Sequence, residues 1–206
     1  AKGLALPAEL ALSGDRDIID LLEHDENGWT LTDYKTWGSY RVTKALGMTQ
    51  VGKQLDPSGE VYKTSGKWGK AGDRKTIPVF RIDDGKVDMK ETELQLNHYR
   101  VMLAEQYNIQ VGRMQIQITV RDGGLQVATG RGITRNTYML EVRKLSDTSI
   151  KDYFHTKEIN LIQAMDTRSW TEPCSEWECW DGARCKSYCD VKVFCPKGSL
   201  YRGDND

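Results

Sequence analysis

Hydrophobic and polar positions alternate in short, distinct runs along this chain. Leu10 to Leu22 is rich in Leu, Ile and Ala with charges interleaved, which predicts a strand broken or bent near Gly14. Glu26-Asn27-Gly28 is a turn signal, and Trp29 to Thr36 alternates as a returning strand would, so the two runs read as a hairpin. Gly38 to about Asp84 holds many glycines and few long apolar runs. It is expected to be an extended loop or hairpin insertion, with a short strand near Ile77 to Ile82. Asp88 to Gln106 has the period of a helix, and Asp88 with Glu91 is spaced as an N-terminal capping pair. Leu94, His98, Met102 and Gln106 form one stripe of that helix, and Gln95, Tyr99 and Met102 or Leu103 the next. Met114, Ile116, Ile118 and Val120 alternate with polar residues in a half-buried strand, and Thr137 to Val142 is its expected partner across a Gly-rich connection. Thr148 to Asp166 reads as a second helix capped by Ser146 or Asp147. This order of elements describes an α/β fold, a mixed central sheet flanked by helices.

The 206 residues are enough to bury roughly 70% of the unfolded surface around one core. The expected division is a core over 1–170 and a cysteine-rich tail over 171–206. No apolar run is long enough to cross a membrane, and no basic-then-apolar leader opens the chain. The formal charge of −1 argues against a strongly basic nucleic-acid binder, but the charges are unevenly placed. Residues 1–35 carry eight acids and three bases, residues 63–75 five bases and one acid, and residues 112–145 six bases and two acids. Tyr62 and Trp68 stand among Lys63, Lys67, Lys70, Arg74 and Lys75, a mixture of rings and cations suited to single-stranded DNA, or else a solvated hairpin.

All five cysteines fall between Cys174 and Cys195. An odd number confined to one tail does not make a secreted disulfide framework, so a cytoplasmic protein is expected. Several thiolates in so short a span suit a [4Fe–4S] cluster or Zn²⁺, and the five-residue gaps after Cys179 and Cys189 fit zinc ribbons poorly.

Asp33 and Lys35 are two apart on the returning strand and share a face, while Asp17 lies on the neighbouring strand and could converge with Asp33. Two facing carboxylates are costly unless a cation neutralises them, and oxygen ligands suit Mg²⁺ or Mn²⁺. Lys35 could orient an attacking water or stabilise developing negative charge. Gln95 and Tyr99, at i and i+4, project from one helix face and could hold a phosphate, a base or Lys35. The plain alternative is a solvent-facing hairpin with surface Asp and Lys, and a helix that uses Tyr99 as core.

Taken together, Gly14-x-x-Asp17, Asp33-x-Lys35-Thr36 and Gln95-x-x-x-Tyr99 resemble the RecB-type branch of the PD-(D/E)xK nuclease superfamily. The resemblance covers about Leu10 to Gln106 by motif. It implies a restriction-endonuclease-like core and a metal-dependent DNA nuclease of exonuclease type. It also implies that Asp17 and Asp33 bind metal with the Tyr34 carbonyl, that Lys35 is catalytic, and that Gln95 and Tyr99 support the site and contact DNA. The tail is similar to the cysteine cluster of AddB-type and CRISPR-associated exonucleases, which implies that Cys185, Cys189 and Cys195 are cluster ligands. Cys179, or alternatively Cys174, would be the fourth. Those families place a helix with an acid, and a further cysteine, upstream of the core. The chain starts with Ala, so a missing N-terminal segment or a partner protein is expected to supply them. A non-catalytic DNA-binding or assembly subunit and a zinc-stabilised interaction protein are the rival readings. The resemblance leaves repair, CRISPR adaptation and phage DNA processing all open.

Overall fold

The computed structural model describes residues 4–6, 10–12, 17–67, 69–169 and 174–201. Gly14 and Trp68 lie outside the described residues, as does the side chain of Asp17. Contacts divide the chain into two compact units, residues 1–150 and 151–206. The division falls within the last long helix, earlier than the expected boundary at 170.

The first unit is built on a mixed five-stranded sheet. Strands β1 (Leu4–Leu6), β4 (Leu21–Asp25), β5 (Gly28–Trp37), β8 (Val111–Val120) and β9 (Thr137–Glu141) lie side by side in that order. The hairpin expected around Glu26-Asn27 is present: β4 and β5 are antiparallel, with Asp25 opposite Gly28 and Leu21 opposite Thr32. The run before it is not one strand. β2 (Leu10–Leu12) pairs with β3 (Asp17–Ile19) in a separate two-stranded sheet, and only β4 pairs with β5. The break falls at Asp20, where the carboxylate rather than the backbone accepts the Tyr34 N–H, at 2.7 Å.

β5 and β8 are parallel, so a crossover must link them. It carries α1 (Ser39–Ala45), a hairpin of β6 (Met48–Leu55) and β7 (Thr76–Ile82), and α2 (Lys90–Tyr107). The hairpin insertion and its late strand match expectation. Helix α1 was not foreseen, because seven residues are too few for its buried trio Ser39, Val42 and Ala45 to show a period. The expected Asp88–Glu91 cap is also absent. Met89 occupies the N-cap without a side-chain bond, and Asp88 pairs with Arg41 at 3.1 Å.

β8 follows its pattern, with Met114, Ile116, Ile118 and Val120 all buried. They form the core with Leu22, Leu31, Leu96, Tyr99 and Leu103. The Gly-rich connection after β8 contains the short α3 (Gln126–Thr129), and α4 (Asp147–Thr167) begins where expected, with Ser146 Oγ accepting the Ser149 N–H at 3.2 Å. The second unit adds α5 (Ala183–Ser187) and α6 (Pro196–Ser199). Among the described residues no helix is long and apolar enough to cross a membrane.

Candidate active site

The chemistry-bearing residues of the hairpin meet over the centre of the sheet. β5 is an inner strand between β4 and β8, and its successive residues Thr30 to Asp33, which alternate between the two faces, are all buried. Asp33 and Lys35 stand beside Ile116 and Ile118 of β8, both of which exclude solvent completely. A carboxylate in that setting loses hydration. Asp33 is 6% exposed, and burial is the largest influence raising its pKa above the ordinary value. The Lys35 ammonium opposes that shift, and the nearby Asp20 carboxylate adds to it.

Lys35 is held from two sides. Its Nζ lies 2.7 Å from Asp33 Oδ2 and donates to Gln95 Oε1 at 2.9 Å. Gln95 Nε2 in turn donates to the Tyr99 hydroxyl at 3.1 Å. The relay Asp33–Lys35–Gln95–Tyr99 therefore runs from the sheet to α2. The Asp33–Lys35 contact is ionic in character: Oδ2 is buried and has no aligned hydrogen bond among the described residues. A buried carboxylate oxygen with unused acceptor capacity beside a second carboxylate is a donor set that suits a hard cation.

Asp20 was not singled out from the sequence. The β4–β5 register places it one step beyond the Leu21–Thr32 pair, opposite Asp33. It also anchors Tyr34, whose N–H it accepts. A strand residue directs its N–H and C=O to the same edge, so the Tyr34 carbonyl faces the Asp20 side. Asp17 begins β3, opposite Leu12, and its side chain lies outside the described residues. Asp33, Lys35, Gln95 and Tyr99 are thus brought together, with Asp20 as the acid beside them. Among the described residues, no group of three or more His, Cys, Asp or Glu side chains is arranged to hold a metal ion. A site here would draw on the two carboxylates, a backbone carbonyl and water.

Helix α2 is positioned by a buried polar network. Asn97 is fully buried, donating to the carbonyls of Glu93 and Arg143 and accepting the Leu145 N–H. Arg100 donates to Asn97 and the Leu145 carbonyl and pairs with Asp147 at 2.6 Å. These bonds fix the helix to the segment after β9.

The basic residues Lys63, Lys67, Lys70, Arg74 and Lys75 lie in the irregular tip of the β6–β7 hairpin. The first four are exposed, whereas Lys75 is half-buried and paired with Glu60. Arg74 reaches the Asp56 carbonyl at 3.4 Å.

In the second unit all five cysteines are free thiols, Cys179 and Cys185 buried, Cys189 and Cys195 half-buried and Cys174 exposed. Burial pushes the Cys185 thiol up, as do Cys179, Cys189 and Cys195 nearby, and Cys174 senses Cys195. Among the described residues these thiols do not form a group of three or more arranged to hold a metal ion. The segment is tied to α4 through Glu178, which accepts from Tyr153 at 2.8 Å and pairs with Lys157 at 2.6 Å. Against the opposing effect of burial, those groups and Ser175 bring Glu178 down to about 2.

Compared with protein-family models, curated proteins and solved structures, the chain found no match.

Proposed function

We propose that this chain is a metal-dependent DNA nuclease of exonuclease type with a restriction-endonuclease-like core. The observation that carries the reading is the Lys35 ammonium clamped between the buried Asp33 and Gln95, with Asp20 alongside. The donor set fits Mg²⁺ or Mn²⁺, which Asp20, Asp33 and the Tyr34 carbonyl would hold. Asp17 is the other acid that the family resemblance names. When bound, the ion would lower the pKa of a water and neutralise charge on the phosphate.

The chain's own residues supply the rest. In hydrolysis a water oxygen bonds to phosphorus, the opposite P–O bond breaks, and the leaving oxygen takes up a proton. Lys35, ion-paired with Asp33 and donating to Gln95, has a further N–H to offer a phosphate oxygen or the attacking water. Gln95 keeps the ammonium aimed, and Tyr99 keeps Gln95 aimed. The thiols of Cys179, Cys185, Cys189 and Cys195, with Cys174 as alternative, are close in sequence and of a chemistry suited to a [4Fe–4S] cluster or Zn²⁺, whose role would be to hold the tail's fold.

The test is cleavage of labelled single- and double-stranded DNA in Mg²⁺ or Mn²⁺, with chelator controls, by wild type, Asp20→Asn and Asp17→Asn. Metal-dependent cleavage that Asp20→Asn abolishes is expected. Absence of cleavage by the wild type on either substrate contradicts the reading. Loss of cleavage in Asp17→Asn alone would move the metal-binding role to that residue.

A further inference from the structure

A second feature lies at the base of the β6–β7 hairpin, apart from the carboxylates. The turn from α1 to β6 is closed by Gly47, which has φ +62°, and a Cβ there would clash with the Asp83 carbonyl oxygen. Only glycine lets the two backbones approach so closely. Its carbonyl accepts the Asp83 N–H at 3.0 Å, which draws the end of β7 against the end of α1. Between them is a pocket of about 270 Å³ lined by Tyr40, Thr43, Lys44, Gln50, Phe80 and Lys86, among others.

Its walls combine rings and cations. Tyr40 is 62% exposed although it is a large aromatic. Lys44 Nζ and the Arg131 guanidinium each lie 5.8 Å from its ring centroid. Arg131 is held there by donating to Ser39 Oγ at 2.9 Å, with Asp122 at 3.8 Å. Lys86 is 59% exposed, with Asp83 at 4.0 Å as its weak partner. The hairpin above the pocket, residues 48–82, carries seven Lys and Arg against three acids. Ring walls suit the flat face of a base, Gln50 offers a donor and an acceptor for its edge, and the flanking ammonium groups suit phosphates.

We infer that this pocket takes an unpaired base of a single-stranded nucleic acid, with the adjoining phosphates met by Lys44 and Lys86. The inference extends the nuclease reading to how a strand is gripped. It concerns binding alone, so either can fail while the other holds.

The experiment is fluorescence anisotropy in EDTA, where no cleavage occurs, using labelled oligothymidylate and the same backbone without bases. Wild type should bind the base-bearing strand about tenfold more tightly than the abasic one, and Tyr40→Ala should lose that preference. Tyr40→Trp should keep it, which separates the ring's role from any change in folding. Lys44→Ala should weaken both strands and reduce the salt dependence by about one counterion. Equal binding of the two strands by wild type, or an unchanged preference in Tyr40→Ala, overturns the proposal. Full competition by thymidine monophosphate at the oligonucleotide's own concentration overturns it too, by assigning the pocket to a free nucleotide.

Discussion

Asp33 concentrates the energetics of the site in one side chain. Burial raises its pKa more than Lys35 lowers it, so the ionised carboxylate is held at a cost. The unfolded carboxylate titrates near 3.8. Between that value and the higher one in the fold, the native state keeps a proton that the unfolded chain has lost. Stability therefore falls as pH rises through this window and stays lower above it. In paired pH series of thermal melts, metal-free wild type should lose stability relative to Asp33→Asn across that window. At neutral pH, Mn²⁺ should raise the melting temperature of the wild type and leave Asp33→Asn unmoved. An equal rise in both would separate the ion from this carboxylate. The adjacency of Asp33 and Lys35 was readable from their spacing of two, since a strand puts such residues on one face. Asp20 was not readable, because the turn admits two registers. A turn centred on Asn27-Gly28 would set Leu22 opposite Asp33, whereas the observed turn, centred on Glu26-Asn27, sets Asp20 there. Here Asp25 Oδ1 accepts the Asn27 N–H at 2.8 Å, and Gly28 takes φ +101°.

At the scale of elements, the strands were the most legible. Alternation located β8 almost to the residue, because a half-buried strand writes its two faces directly into the sequence. α2 was legible as a helix but not in its packing. The expected stripe through Leu94 and His98 is half-buried, while the fully buried side includes Asn97 and Arg100. Two polar residues on the inner side hide a helix's amphipathicity, and the groups they meet, the Arg143 and Leu145 carbonyls, the Leu145 N–H and the Asp147 carboxylate, explain their burial. This network should matter beyond its own bonds, since α2 delivers Gln95 and Tyr99. Asn97→Ala should cost about 1–3 kcal/mol in denaturant melts, by leaving buried backbone groups unpaired. It should also slow cleavage more than an equally destabilising change at Val111, at the far end of β8. A loss of stability with no such excess loss of rate would limit Asn97 to a structural role.

For the whole molecule, local signals left most of the arrangement unwritten. The charge of −1 conceals a basic hairpin inserted in the crossover, a segment with little hydrophobic patterning. The tail's five cysteines fall within 22 residues of sequence, and a bound cluster there is part of the proposed function. Protein purified without oxygen should be brown, with broad absorption at about 400 nm. A colourless protein with stoichiometric zinc would reject the cluster and retain the thiol site. On the proposed function, Lys35, clamped between sheet and helix, serves phosphodiester hydrolysis. Single-turnover cleavage of labelled DNA at saturating Mn²⁺, wild type against Lys35→Ala, tests it most directly. The expected rate is at least about 100-fold lower in the variant, with the Mn²⁺-induced rise in melting temperature retained. Equal rates for the two proteins would contradict it.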